Sequence, residues 1–341
     1  MSRYLLILAT CLFIGSLSVS AQVPDSVKTF VDSALNLMEQ RSIYSANVNW
    51  AEMRSNVYKE IAGSKSYQDA YPSLIKAFNA LGDKHGWLVF EDKDYRNPDY
   101  HFDTTRINPD IKAAAAKGPK VYAGLIDNHY AYVSIPFFGG QSAEAMQGFA
   151  QKIQDSLCAN IKPNTKGVIV DLRLNGGGNM FPMISGLGNL LGDGIISMTR
   201  NNKGDTTGKT MVKGNSVIAF DTTLTSCNRK CGDLSRLPVA VIIGPVTGSS
   251  GEALALAFKG RPAAVLVGEP TAGFVTANQG WYLPGKDNGI VLAVDFMTDR
   301  TGKQYMEDVQ PDIRVVGGDN FFNWKKDGKI KAAIDWMKKS R

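Results

Sequence analysis

Histidine is scarce in this chain: 341 residues contain three, His85, His101 and His129, so any chemistry that needs an imidazole has only three places to find one. Cysteine is nearly as rare, with four residues. Beyond the first twenty or so residues no stretch approaches the ~18 consecutive apolar residues that a membrane-spanning helix requires. No G-x-G-x-x-G follows a strand and no phosphate-loop lysine pattern occurs, which removes support for nucleotide binding. Basic and aromatic residues are not interleaved along any surface-like segment, which argues against nucleic acid. Internal repeats and low-complexity tracts are also missing.

The chain opens MSRYLLILATCLFIGSLSVSAQ. One arginine, an apolar stretch from Tyr4 to about Leu17, and small residues at Val19-Ser20-Ala21 have the layout of a secretory signal peptide, with a mature chain expected from about Gln22. Cys11 fits a lipoprotein attachment site poorly, because the apolar run before it is short and Thr10 precedes it. The expected product is a periplasmic or secreted protein without a membrane span. Removing residues 1–21 takes away only Arg3, so the formal charge falls from +6 to +5, and it says little about partners. In an oxidising compartment Cys227 and Cys231, four residues apart in SCNRKC, are placed for a small-loop disulfide. A zinc site would need two further ligands that the neighbourhood does not offer, and Cys158 reads as a buried small apolar residue.

Helical periodicity runs through residues 23–82, for example in VKTFVDSALNLMEQ and YPSLIKAFNAL, and defines a helical subdomain over 22–90. Residues 91–118 are polar and turn-rich and read as linking loops with a short strand or two. From 119 the pattern changes to a hairpin turning at Asp127-Asn128-His129, a helix to about Asn160, and then short apolar strands (KGVIVDLRL, SVIAF, VAVIIG, AAVLVG) separated by helices. That alternation predicts parallel βαβ units and an α/β core over 119–341. The tail WKKDGKIKAAIDWMKKSR reads as a solvated helix with an apolar stripe of Ile330, Ile334 and Met337.

Two turns at strand ends stand out. At GPVTGSSGEALALAF (244–258), Ser249 and Glu252 have the spacing of a capping box, yet a serine on a tight strand-to-helix turn is also where acyl-transfer enzymes expose a nucleophile. At Asn175-Gly176-Gly177-Gly178, three glycines permit positive φ and a close approach of backbone N–H groups to an anion, or simply a tight turn. A nucleophilic serine needs a base and a group that orients it. His85, flanked by turn residues in GDKHG, is the leading base over His101 and His129. Glu307 and Asp308 in YMEDVQPDI and Glu269 in GEPTAG are the acids in reach.

LGDKHG, YAYVSIPFF, VIVDLRLNGGG, TGSSGEALALAF, VGEPTAG and VQPDI, in that order, resemble the carboxyl-terminal processing (tail-specific) serine peptidases, including the tricorn-core and interphotoreceptor retinoid-binding-protein branches. The resemblance spans roughly residues 27–316. It implies a ClpP/crotonase-like α/β core behind a helical N-terminal subdomain, and hydrolysis of peptides or unfolded proteins without metal or cofactor. It puts Ser249 on the nucleophile, and the N–H groups of Ser250 and of Gly176 or Gly177 on the oxyanion hole. The lysine of the processing branch falls on Phe274 and its supporting glutamine on Asn278, so a Ser/Lys dyad is excluded. The tricorn-like branch implies His85 as base and Glu307 as its orienting acid, with Gly86 where a hydroxyl residue often stands. Only about 35 residues separate His85 from the hairpin strands, too few for a PDZ domain. Three readings follow: a serine peptidase, an inactive relative that binds apolar ligands or peptides, and crotonase-like acyl chemistry, for which an exported protein has little access to acyl-CoA. A homo-oligomer is compatible with all three.

Overall fold

The computed structural model describes residues 22–100 and 102–340. The expected signal segment and His101 lie outside the described residues. The chain runs α1 (Asp25–Arg41), α2 (Trp50–Glu60), α3 (Tyr67–Leu81), β1 (Trp87–Phe90), β2 (Lys93–Tyr95), α4 (Pro109–Ala116), β3 (Tyr122–Ile126), β4 (Tyr130–Ser134), α5 (Ala143–Cys158) and β5 (Gly167–Asp171). It continues through α6 (Met180–Gly186), α7 (Gly188–Leu191), β6 (Gly194–Arg200), β7 (Thr206–Lys213), β8 (Ser216–Ala219), β9 (Thr222–Ser226) and β10 (Val239–Ile243). The last elements are α8 (Ser250–Phe258), β11 (Ala264–Gly268), β12 (Thr276–Tyr282), β13 (Asn288–Met297), β14 (Ile313–Arg314) and α9 (Gly328–Lys339). Among the described residues no helix is long and apolar enough to cross a membrane.

Two sheets organise the molecule. The expected α/β core is a six-stranded sheet ordered β14-β11-β10-β5-β4-β3. All its pairings are parallel except β3 with β4. Its central strands are buried along their whole length, which is why GVIVD and VAVII read as unbroken apolar runs. The β3–β4 hairpin turns at Asp127 and Asn128, both at positive φ (49° and 58°), as a two-residue hairpin demands.

The second sheet was only partly legible in the sequence: SVIAF, expected in the parallel core, is β8 of this sheet and pairs antiparallel with β7 and β9. It is ordered β2-β1-β13-β6-β7-β8-β9, with β12 on the other flank of β13. α1 presents Val27, Phe30, Val31, Ala34, Leu35 and Met38 at helical spacing, and these pack with α3 against Leu88 and Phe90 of β1 and Ile290 and Leu292 of β13. The helical N-terminus is therefore joined to strands from the end of the chain, and residue 90 does not separate two packing units. Residues 91–118 contain α4 as well as β2.

The disulfide expectation is corrected. Cys158 at the end of α5 pairs with Cys231, Cα–Cα 5.3 Å, while Cys227 is free. Four-residue spacing placed Cys227 near Cys231 in sequence, but packing of α5 brings Cys158 to it instead. Closing a segment across a sequence separation of 73 is worth about 4 kcal/mol in the loop-entropy description. Cys158→Ser is expected to lower the urea midpoint accordingly. A non-reduced digest should yield the Cys158–Cys231 cross-linked peptide, and finding Cys227 in the bond would refute the pairing.

The tail helix α9 also differs from a solvated helix. Ile330, Ile334 and Met337 are buried under the six-stranded sheet. Lys329 beside them is fully buried, bonded to Asp319 (2.7 Å) and Glu269 (2.7 Å).

Candidate active site

Ser249 sits between β10 and the buried helix α8 with φ 52° and ψ −116°. A non-glycine residue in that region marks a forced turn. Glu252 holds it: its carboxylate accepts the N–H of Ser249 (2.7 Å), Gly273 (2.8 Å) and Phe274 (2.8 Å), and the Thr271 hydroxyl. The expected capping box is thus present, with Glu252 reaching back to the Ser249 backbone. The serine hydroxyl itself faces His85, whose Nε2 lies 3.0 Å from Ser249 Oγ.

His85 is placed by the end of α3. Gly82 closes that helix at φ 73°, and the buried Asp83 carboxylate then accepts the N–H of His85 (2.9 Å), Gly86 (2.8 Å) and Ala293 (2.9 Å). This pins the histidine turn to β13. A Cβ at Gly86 would stand 2.6 Å from the Val291 carbonyl oxygen, so no hydroxyl residue fits after this histidine. Asp83 was missed in the sequence, where GD at a helix end reads as an ordinary turn.

The group on the far side of the imidazole is Thr276, not Glu307. His85 Nδ1 lies 2.8 Å from Thr276 Oγ1, whereas Glu307 is exposed and shares no hydrogen bond with His85 among the described residues. The hydrogen-bond chain fixes the tautomer. Asn278 Nδ2 donates to the His85 carbonyl (2.9 Å), which turns Asn278 Oδ1 towards Thr276, and Thr276 Oγ1 donates to it (3.2 Å). With its one proton committed, the Thr276 hydroxyl accepts from His85 Nδ1–H. Nε2 is left without a proton, facing the Ser249 hydroxyl.

The glycine turn abuts the serine turn. A Cβ at Gly177 (φ 121°) would lie 2.8 Å from Ser249 Cβ, so only glycine fits there. Asn175, fully buried, ties the turns together: its carbonyl accepts Gly248 N–H (3.0 Å) and its Oδ1 accepts Gly177 N–H (3.0 Å). Gly177 N–H is therefore occupied, which narrows the expected oxyanion donors to Gly176 and Ser250. Their N–H groups have no hydrogen-bond partner among the described residues. The Ser250 hydroxyl donates to the Gly178 carbonyl (2.6 Å), which makes it a brace between the turns.

Residues 129–315 match the profile of peptidase family S41. The chain belongs to peptidase family S41. A relative, the nisin-resistance protein of Lactococcus lactis subsp. lactis, is 31% identical over 319 residues, 93% of this chain and 88% of the relative. A lipoprotein structure from Streptococcus agalactiae shares the fold with TM-score 0.70 at 23% identity, covering 95% of this chain and 100% of that one. The photosystem II D1 C-terminal processing protease does so with TM-score 0.60 at 14% identity, covering 86% and 93%.

In this S41 chain the remaining sequence candidates lie elsewhere. His129 stays on the β3–β4 turn beside Asn164. Glu269 bonds Lys329 (2.7 Å) and Gly317 N–H (3.3 Å), and Asp308 accepts from Gln310 (2.6 Å). Phe274, at the position expected for a lysine, stacks obliquely on His85 with ring centroids 5.2 Å apart.

That apolar cover explains the electrostatics. Burial, helped by the Arg96 charge, lowers the His85 pKa to about 4, so the imidazole is a neutral base at ordinary pH. Burial raises Glu252 to about 7 against the pull of its donors. The acid limb of kcat/KM assigned to His85 is expected near pH 4, well below 6.5. A separate inflection near 7 should vanish in Glu252→Gln. Stability follows the same sign: unfolded His85 takes up a proton near 6.5 and the folded form only near 4, so its contribution is present above pH 6.5 and is lost as pH falls towards 4. A histidine limb measured at 6 or above in both proteins would contradict this.

Proposed function

We propose that the chain is an exported serine peptidase that hydrolyses peptides or unfolded proteins. Ser249 attacks the carbonyl carbon, His85 Nε2 takes the serine proton and returns it to the leaving amine, and water then repeats the cycle on the acyl-enzyme. Thr276 and Asn278 keep the imidazole in the receptive tautomer. The N–H groups of Gly176 and Ser250 receive the developing oxyanion. The observation that carries this reading is the 3.0 Å approach of His85 Nε2 to Ser249 Oγ, with the Nδ1 proton directed to Thr276. Membership of a peptidase family supports the reaction class. The apolar opening segment and the lipoprotein neighbour support export.

The test is hydrolysis of an unfolded protein, a mixed peptide library and nisin by residues 22–341. Nisin is included because a relative is named for resistance to it. Cleavage products by mass spectrometry are expected. A cooperatively melting protein that cuts none of them would move the assignment to a ligand-binding role on the same fold.

A further inference from the structure

The second sheet leaves a groove beside the site that the reaction itself does not use. On β12, Asn278, Gly280 and Tyr282 alternate onto the face that carries the His85 turn, and the opposite face packs on the helices through Trp281. The register sets Gly280 against Val291, and Tyr282 against Gly289, which in turn pairs with Val89. The result is a groove of about 430 Å³, floored by these glycines and valines and rimmed by Tyr282, Asp92 and Asp287.

Three observations point to a ligand. Tyr282 is 98% exposed, an aromatic ring held in water at the rim. Gly280 is not required by the fold: its φ is not positive, and a Cβ there would make ordinary contact with Val291 Cγ2 at 3.5 Å. A glycine inside a strand costs about 0.5–1 kcal/mol relative to alanine, and its remaining use is to let something approach the backbone. Finally, the charged residues lining the groove are Asp92 and Asp287. Asp92 has no ion pair among the described residues, and Asp287 meets only Lys286, 92% exposed and 3.7 Å away. The nearby Arg96 is engaged over the Trp87 ring at 4.4 Å.

Resting on the peptidase reading, we infer that this groove is a substrate subsite for a lysine or arginine side chain. The aliphatic stem lies over Gly280 and Gly289 against Tyr282, and the cationic head reaches Asp92 and Asp287. Gly280 is four residues along β12 from Thr276, roughly 13 Å at the rise of a strand. An extended substrate therefore brings to the groove a side chain about four residues from the bond that is cut.

The experiment uses matched peptides in which lysine or norleucine is walked outwards from the cut bond. The enzymes are the wild type, Asp92→Asn/Asp287→Asn and Gly280→Val, each checked by thermal melt. A KM about tenfold lower for lysine near the fourth position, with kcat unchanged and the preference lost in both variants, is the expected result. Cleavage with no lysine preference, or a preference that both variants keep, overturns the subsite while leaving the peptidase intact. If the wild type cuts nothing, the peptidase reading fails, and calorimetric titration of the lysine peptide into Ser249→Ala decides the groove. Binding weakened about tenfold by Asp92→Asn/Asp287→Asn sustains it, and equal binding overturns it.

Discussion

Ser249→Ala is expected to reduce kcat/KM by roughly four to six orders of magnitude while leaving the melting temperature close to wild type. His85→Ala should cost about as much, and the double variant little more, because the pair acts as one unit. Ser250→Ala separates the two serines: its hydroxyl braces the Gly178 carbonyl, so its loss should cost only about tenfold through a slackened turn. Thr276→Val keeps the shape but frees the Nδ1 proton, and a drop of roughly a hundredfold is expected from mis-set tautomers. Glu307→Ala should be silent. The set is read by kcat/KM on one peptide beside thermal melts. Activity surviving in Ser249→Ala but lost in Ser250→Ala would reassign the nucleophile, and a strong effect of Glu307→Ala would restore the acid to the mechanism.

The second large effect lies below the glycine turn. Arg173 is fully buried and bonds Asp171 (2.6 Å), Asp319 (2.7 Å) and Asp327 (2.7 Å). Lys329 shares Asp319, and Asn108 and the Asn320 N–H add further bonds. Arg173→Met leaves Asp171 and Asp327 buried without a cation and Asp319 with Lys329 alone, a loss of about 3–5 kcal/mol. Because Arg173 stands two residues before Asn175, hydrolysis should weaken together with the urea midpoint. Replacing the network as a whole by apolar residues should recover stability better than activity. A single substitution that leaves the midpoint unchanged would show that the carboxylates protonate or hydrate at little cost.

Which parts could be read in advance follows from how local their causes are. Ser249, His85 and the glycine turn are marked by backbone demands, a forced φ, a helix stop and a close approach, and these show as glycine and serine at strand ends. The parallel strands announced themselves because burial on both faces leaves only apolar residues. The antiparallel sheet did not: TTGKTMVK and TANQGWY are half exposed and polar on one face, and they resemble loop sequence. The partner of His85 Nδ1 was out of reach for a different reason. Thr276 is an ordinary strand residue until β12 pairs with β13, and nothing along the chain separates it from other threonines. Cys158 was misread likewise, since its partner lies 73 residues away.

Ser249 and His85, the proposed nucleophile and base, stand on elements that pack into different hydrophobic cores. Ser249 rises from the parallel sheet, while His85 hangs between α3 and β1, in the cluster that α1 closes. Any swing of one core against the other would separate the pair before either core melts. Turnover thus records the weaker of two halves rather than the whole, and inactivation on warming should run ahead of the loss of helical signal.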